Sequence, residues 1–249
     1  MTSFFRRYQQ GDESNVWAEL RALGQRAREP QFEEDVRAVC DEMALRAFWN
    51  VEKLIDRLSA DGFIFRDATD HMEQSPLLRP SENVDPLIEW LNTTAGTLPL
   101  AVESWMRTVG DVNLVGTHPQ WPDAEQADPL VIEIELLRIG SEEARSYYED
   151  ELEMWRDDED SLELPPFLLS VAPDSLHKAN ISGGAPYGFE LPDPTVEGAF
   201  VNEDAHAQPI HEPFVDYLNR VFRSGGFPGQ RVSAPDGFRE KYSAGLMRL

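Results

Sequence analysis

The chain has 249 residues, of which 41% are hydrophobic and 10% aromatic, so it can form a hydrophobic core and is not disordered. Its 46 acidic and 22 basic residues give a formal net charge of −24. This charge excludes a general nucleic-acid binder, because phosphate contacts need clustered lysine and arginine. With Cys40 as the single cysteine, an intrachain disulfide is also excluded.

The sequence favours a cytoplasmic protein. The N-terminal "MTSFFRRYQQ" has basic residues without an apolar stretch after them, so we expect no signal peptide. Apolar runs stay far below the roughly 18 residues that a membrane span needs, so we expect no membrane partner. A lone cysteine fits a reducing compartment.

The first 75 residues predict a helical extension. Residues 14–28 form an amphipathic pattern that Pro30 interrupts, and a longer helix is predicted over 33–60. "FIF" at 63–65 can begin a strand, and 67–82 is expected to be a loop at a domain boundary. The apolar stripe of the long helix comprises Val36, Cys40, Met43, Ala47, Val51, Leu54 and Leu58.

Two further helices are predicted after this boundary. Asp85 can cap a helix whose first residue is Pro86 and which Gly96 ends. Pro99 lies in the first turn of the next helix, and Gly110 stands where a left-handed C-terminal cap is wanted. The inward face of that second helix is predicted to contain Val102, Trp105, Met106 and Val109.

Strands dominate the remainder of the predicted domain. The alternation in "LVIEIELL" (130–137) predicts a half-buried strand, and "SEEARSYYEDELEMW" predicts a helix. "PFLLSVAPD", "YGFELPD" and "GAFVNED" predict three short strands, and "EPFVDYLNRVFRSGG" a closing helix that Gly225 stops. The order predicts an α+β fold with a mixed or antiparallel sheet packed against helices. Residues 226–249 are expected to wrap the surface or fray.

Sequence motifs for nucleophilic, phosphate-binding and cofactor chemistry are absent. There is no G-x-S-x-G turn, no P-loop and no G-x-G-x-x-G between a strand and a helix, so we predict no catalytic set and no cofactor. Cys40 falls in the apolar stripe, where a thiol behaves as a small hydrophobe. Paired carboxylates for acid/base work remain open, since 46 acids guarantee some close pairs.

A metal site is not predicted either. The nearest histidines, His206 and His211, are five residues apart with a proline between them, unlike the i, i+4 pair of a helical zinc site. The run "WRDDEDS" (155–161) lacks the glycine and distal glutamate of an EF-hand loop. The default prediction for the five histidines is exposure in surface loops; they are His71, His118, His177, His206 and His211.

The segment "APDSLHKANISGGAPYGFELPD" (172–193) attracts attention because it combines histidine, lysine and paired glycines. One hypothesis is a small-ligand or catalytic pocket formed by Asp174, His177, Lys178 and Tyr187. The alternative is a connection between strands, with His177 and Lys178 exposed and the glycines adopting positive φ in a turn.

Residues 84–223 resemble the SUKH superfamily, which contains yeast cell-wall synthesis regulators and bacterial immunity proteins. In "LIEWLNTTAGTLPLAVESWMRTVGDVNLVG", a helix is followed by Leu98-Pro99 and a helix ending in glycine. The closing helix is similar too, with Phe214, Asp216, Tyr217 and Leu218 after the final strand. The chain departs from the family pattern in its Asp-Val after Gly110, in residues 1–75, and in a larger acidic insertion around 141–163.

The resemblance implies an α+β domain that binds another protein without catalysis. Many bacterial members are similar to neutralisers of toxins, often nucleases. It predicts a SUKH-like domain over 76–225, with an N-terminal helical extension (1–75) packed on it and a C-terminal tail (226–249).

Charge provides a separate argument for a protein partner. Residues 123–163 contain 16 acids and three arginines, a face that repels nucleic acid and attracts basic proteins. We therefore expect a basic protein partner, for example a toxin. Two alternatives stay open: a regulatory scaffold without a toxin partner, and an acidic face that only keeps the protein solvated. The predicted contact residues are Glu149, Asp150, Glu151, Glu153, Trp155, Asp157, Asp158, Glu159 and Asp160.

Overall fold

A computed structural model of the chain describes residues 3–66, 74–157, 165–181, 183–202 and 210–249. The helices are α1 (Phe4–Gln9), α2 (Glu13–Leu23), α3 (Glu33–Ala60), α4 (Val84–Thr94), α5 (Leu100–Thr108), α6 (Ser141–Arg156), α7 (Ser175–Lys178), α8 (Phe214–Arg223) and α9 (Phe238–Ser243). The strands are β1 (Ile64–Phe65), β2 (Leu77–Leu78), β3 (Asp111–Asn113), β4 (Gly116–Thr117), β5 (Val131–Ile132), β6 (Phe167–Ala172), β7 (Tyr187–Leu191), β8 (Ala199–Asn202) and β9 (Ile210–Pro213). Short 3-10 helices cover Gly24–Arg28 and Ala124–Ala127.

The strands form antiparallel sheets. The largest has four strands in the order β6-β7-β8-β9, and a smaller one has the order β2-β3-β5. The amide of Glu133, directly after β5, donates to the carbonyl of Val171 in β6 at 2.8 Å and so joins the two sheets. Antiparallel sheets packed against helices make this an α+β protein, as the order of predicted elements indicated.

The long helix α3 packs against α5 in the centre of the core. Every residue of the predicted apolar stripe of α3, from Val36 to Leu58, is fully buried. The inward face predicted for α5 and its C-terminal cap is buried, as expected; it comprises Val102, Trp105, Met106 and Val109. Gly110 has a φ of +84° and its amide donates to the carbonyl of Trp105, which confirms the left-handed cap.

Aromatic contacts attach α8 to the four-stranded sheet. Phe214 lies 5.0 Å from Phe189 of β7 and 5.7 Å from Trp105 of α5, measured between ring centroids. Tyr217 stacks on Phe200 of β8 at 4.0 Å. The helix therefore covers the sheet through the apolar face that its sequence predicted.

Glu103 of α5 is a buried carboxylate surrounded by cations. It accepts hydrogen bonds from Arg37 of α3 at 3.0 Å and from Arg107 at 3.2 Å, and Arg28 lies 3.9 Å away. Asn92 of α4 donates to its second oxygen at 3.3 Å. One acid thus connects three helices and the 3-10 helix that precedes α3.

Replacing Glu103 with glutamine should destabilise the fold, because the three guanidinium groups would lose their shared counter-charge. We expect the free energy of unfolding in urea to fall by ~2–4 kcal/mol with an unchanged denaturant slope. Glu89→Gln on α4, at an exposed carboxylate, is the matched control and should change stability by less than ~0.5 kcal/mol. Equal effects of the two substitutions would contradict the role of Glu103.

The strand predicted over 130–137 is shorter than its alternation indicated. The ladder covers Val131–Ile132, and Leu136 has a φ of +51°. The buried Asp111 side chain takes the place of a strand partner, because its oxygens accept the next backbone amides at 2.8–3.1 Å. Those amides belong to Ile134, Glu135 and Leu137. The chain turns around this carboxylate instead of continuing the ladder.

Other boundaries also differ from the prediction. The helix expected over 14–28 ends at Leu23 and continues as a 3-10 helix, and α4 begins at Val84 rather than Pro86. Neither α1 nor β9 was predicted. β9 pairs antiparallel with β8, Pro213 opposite Ala199, immediately before α8 begins.

The prediction that residues 226–249 wrap the surface or fray is wrong. Phe227, Tyr242 and Leu249 are almost completely buried, and the Phe238 ring lies 4.8 Å from the ring of Trp121. The Tyr242 hydroxyl donates to the carboxylate of Asp61 at the end of α3. Phe227 and Leu249 show no helical spacing, and Phe238 and Tyr242 form a single i, i+4 pair in the short helix α9, which is why periodicity did not reveal this packing.

His118 is buried beneath this C-terminal segment, so the default of exposed histidines is wrong at this position. Its Nδ1 accepts the amide of Gln120 at 3.1 Å, which requires an unprotonated nitrogen there. Burial lowers the pKa of His118, even though Asp61 lies 3.9 Å from Nε2. The imidazole is therefore held neutral in the folded protein.

A neutral buried histidine predicts acid sensitivity. Its pKa is lower in the folded than in the unfolded chain, so below the ordinary value near 6.5 the unfolded state binds the extra proton and stability falls as pH falls. As the pH falls, the free energy of unfolding of wild type should decrease by up to ~1.4 kcal/mol per pH unit more than that of His118→Asn. Asparagine is chosen because its side-chain oxygen can still accept the Gln120 amide. Urea unfolding at several pH values between 8 and 5 measures this, with the exposed His177→Asn as control. Parallel profiles for wild type and His118→Asn would contradict it.

Candidate functional site

The exposed face of α6 presents a continuous row of carboxylates. Ala144, Tyr148 and Leu152 repeat every fourth residue and are buried, so the helical repeat directs the opposite side to solvent. We call that opposite side the acidic stripe. It consists of Glu142, Glu143, Glu149, Asp150, Glu153 and Asp157, all of them exposed.

The acidic stripe is largely unneutralised within the described part of the chain. Glu149 pairs with Arg145 at 3.3 Å, whereas the other members of the stripe form no ion pair with a described residue. Tyr147 and Met154, one heptad apart, flank the stripe on one side and are 39% and 62% exposed. Negative charge bordered by apolar surface is therefore open to solvent along the helix.

The other predicted contact residues occupy different environments. Glu151 is half-buried on the side of α6 nearer the core. Trp155 is also half-buried: its indole N–H donates to the carbonyl of Pro165 at 2.9 Å, and its ring contacts Phe167. Tyr147 and Met154, rather than Trp155, are the accessible apolar side chains of α6. Asp158, Glu159 and Asp160 lie outside the described residues.

The segment 172–193 contains a short helix that the sequence did not predict. Asp174 caps α7, because one carboxylate oxygen accepts the amides of Leu176 at 2.7 Å and His177 at 3.2 Å. Its other oxygen accepts the amide of Gly184 at 2.9 Å. These bonds to the backbone give Asp174 a structural role.

Gly183 is needed for close packing and not for a positive φ, which corrects the turn hypothesis. A β-carbon at this position would lie 2.5 Å from a carboxylate oxygen of Asp174 and 2.9 Å from Nδ1 of His177. Its φ lies outside the left-handed region. A larger residue at 183 would push the segment away from its cap.

Lys178 is buried, so the prediction that it is exposed in a connection is wrong. Its ammonium group lies 2.7 Å from Asp128 and 4.5 Å from the centre of the Tyr187 ring. The Tyr187 hydroxyl donates to the second oxygen of Asp128 at 3.0 Å. Burial, followed by the charge of Asp128, raises the pKa of Tyr187, so the phenol stays a neutral donor. We call Asp128, Lys178 and Tyr187 the buried triad.

The four residues of the predicted pocket do not converge. Asp174 and His177 line a shallow depression of about 300 Å³ near the end of β6, where His177 is exposed. Tyr187 and Asp128 instead line a separate, larger cleft of about 980 Å³. The one-turn helix α7 separates the two, since His177 and Lys178 leave it in different directions.

The larger cleft is bordered by α7, β9, α8 and the segment leading to α9. Its basic side chains are Arg220, Arg231 and Arg239, with His211 of β9 at the edge. Asp128 and Glu212 also line it, but each carboxylate is already paired, with Lys178 and Arg220 respectively. We call this feature the arginine cleft.

Sequence reasoning missed the arginine cleft because its residues come from four separate stretches. One usable signal was overlooked: residues 214–249 contain six basic and three acidic residues, although the whole chain has a net charge of −24. Local charge reversal of this kind indicates a surface that differs from the rest of the protein.

Two kinds of reactive group, a thiolate and a metal centre, are not found among the described residues. Cys40 is fully buried, and burial raises the pKa of its thiol, so it does not supply a thiolate nucleophile. Within the described ranges, no group of three or more His, Cys, Asp or Glu residues is arranged to hold a metal ion. His71 and His206 lie outside those ranges.

Comparison with known proteins leaves the family open. No protein-family model matches the chain, and neither the curated proteins nor the solved structures yield a significant match. The SUKH resemblance therefore rests on the short motifs in residues 84–223 and stays a prediction.

The buried triad gives a direct stability test. Lys178→Met should lower the free energy of unfolding by about 3 kcal/mol, because it leaves the Asp128 carboxylate buried without a counter-charge. His177→Ala, one residue away but exposed, should change it by less than ~0.5 kcal/mol. Urea denaturation of both variants measures the difference, and a Lys178→Met protein as stable as wild type would contradict the pairing.

Proposed function

We propose that this chain is a non-enzymatic protein-binding module that docks a basic protein partner on the acidic stripe of α6. The observation that supports this most directly is the set of exposed carboxylates on one helix face, most of which have no ion-pair partner in the described part of the chain. A surface of one sign attracts a partner of the opposite sign and accelerates the encounter.

Apolar side chains at the border of the acidic stripe provide surface that a partner can bury. Tyr147 and Met154 can be buried by a partner, and apolar or aromatic side chains of this kind contribute much of the binding energy at protein interfaces. Exposed carboxylates around such a centre favour lysine and arginine in the partner. Acidic partners and nucleic acids are repelled by the same surface.

A cytoplasmic, immunity-type role is the most specific form of this proposal, and it draws on the SUKH resemblance. The substrate groove of a nuclease is basic because it binds phosphates. α6, with 16 residues, is about 24 Å long, so its row of carboxylates can lie along such a groove and exclude the nucleic acid. Independently of the proposal, no helix among the described residues is long and apolar enough to cross a membrane.

The proposal predicts salt-sensitive association. Proteins encoded by the genes adjacent to this chain's gene would be purified, and their binding rates measured by surface plasmon resonance at two salt concentrations. We expect a basic protein among them to associate at least ~10-fold more slowly at high than at low salt, because counter-ions screen the stripe. Absence of binding by any basic neighbour, or rates that do not change with salt, would overturn the proposal.

A charge-neutral variant locates the interface. Glu149→Gln, Asp150→Asn and Glu153→Gln combined should slow association with the same partner by about ten-fold at low salt. The matched control is Glu34→Gln, Asp56→Asn and Glu82→Gln, which removes the same charges from exposed positions elsewhere. Equal slowing by both triple variants would show that net charge, and not the acidic stripe, drives binding.

A further inference from the structure

The arginine cleft contains cationic groups without acidic partners. Among the described residues, neither Arg231 nor Arg239 forms an ion pair. Nε of Arg239 is buried and has no hydrogen-bond acceptor there, while one terminal nitrogen donates to the carbonyl of Gly229 at 2.6 Å. Because acids outnumber bases by 46 to 22 in this chain, a shortage of carboxylates does not explain these unpaired groups.

The acids that do line the cleft are already neutralised. Asp128 is bound by Lys178 at 2.7 Å and by the Tyr187 hydroxyl at 3.0 Å, and Glu212 is bound by Arg220. Their charges therefore cancel locally, and among the described residues Arg231 and Arg239 have no carboxylate partner. A buried polar group without a partner is costly, so an acceptor from a ligand would stabilise the Arg239 guanidinium.

The positions of Arg220 and Arg239 are fixed by packing, whereas Arg231 is exposed at the rim of the cleft. Arg239 follows Phe238, which is buried against Trp121, and belongs to α9, whose Tyr242 is also buried. Arg220 lies 5.3 Å from the Tyr217 ring in addition to its bond with Glu212. A ligand would thus meet guanidinium groups that are already oriented, which reduces the entropy lost on binding.

We propose that the arginine cleft binds a small polyanion bearing phosphoryl or carboxylate groups. Guanidinium groups recognise both through paired hydrogen bonds. The volume of about 980 Å³ is within the roughly 300–1,000 Å³ of small-molecule sites. At moderate salt, charges are screened beyond about 10 Å, so the acidic surface does not prevent a small anion from binding in the cleft. A long polyanion such as RNA would still extend over the acidic surface and be repelled by it.

This site is independent of the proposed docking surface, since it lies on other elements of the fold. A ligand bound here would not require a protein partner, and neutralising the acidic stripe of α6 would leave its affinity unchanged. Asp128 and Tyr187 of the buried triad line the cleft, but Asp128 is bonded to both Lys178 and Tyr187, so the triad is not assigned to the ligand.

Isothermal titration calorimetry of the full chain tests the proposal with three probes: inorganic phosphate, pyrophosphate and citrate. We expect saturable binding of at least one, with Kd below about 1 mM at low salt. Preference for pyrophosphate or for citrate distinguishes phosphoryl from carboxylate recognition. No binding by any of the three overturns the proposal.

Three single variants locate the site. Arg231→Gln and Arg239→Gln should each weaken binding by roughly ten-fold or more, because each removes a charge-assisted hydrogen bond. Arg223→Gln is the matched control: Arg223 is exposed on α8, donates to the carbonyl of Asn219, and should bind as wild type. Arg231 is exposed and unpaired among the described residues, so its variant will fold even if Arg239→Gln does not. Wild-type affinity in Arg231→Gln, or an equal loss in Arg223→Gln, overturns the assignment.

Discussion

The ion cluster around Glu103 is the interaction on which the arrangement of the other elements depends. This carboxylate is 3% exposed and contacts guanidinium groups from α3, from α5 and from the 3-10 helix before α3. Arg28 reaches further, since its other nitrogens donate to the carbonyls of Leu98 and Pro194. A buried charge is tolerated only with such partners, so the N-terminal helices, α5 and the loop after β7 have to assemble together. α8, which borders the arginine cleft, contacts α5 through the rings of Phe214 and Trp105.

The distribution of charge separates two surfaces that differ in chemistry. Among the residues that the structure describes, most carboxylates of the acidic stripe lack a cation, and two guanidinium groups of the arginine cleft lack a carboxylate. The stripe is convex and exposed, which suits a protein partner, while the cleft is concave and suits a small ligand. The two proposals therefore follow from shape and charge together, and each can fail without the other.

Local sequence patterns were sufficient to predict most of the helices and the longer strands. The stripe from Val36 to Leu58 and the cap at Gly110 depend on spacing and on backbone conformation, which the sequence contains. The strand predicted over 130–137 is shorter in the structure because Asp111, some twenty residues earlier in the chain, accepts hydrogen bonds from its backbone amides. The prediction for the C-terminal residues failed for a related reason. Phe238 and Tyr242 pack beside Trp121 and Asp61, in a space that exists only after the rest of the chain has folded.

By itself, the sequence determined the α+β class, the faces of the amphipathic helices and the excess of acid on α6, because each depends on composition or on neighbours a few residues apart. Only the tertiary structure decided which polar groups are paired. Lys178 and Asp128 are 50 positions apart in the chain, and no periodicity connects them. The same holds for Arg231 and Arg239, whose significance depends on the cleft that α7, β9 and α8 form around them. Pairing between distant charges follows from packing, so the segment 172–193 could be noticed in the sequence but its buried lysine could not be interpreted there.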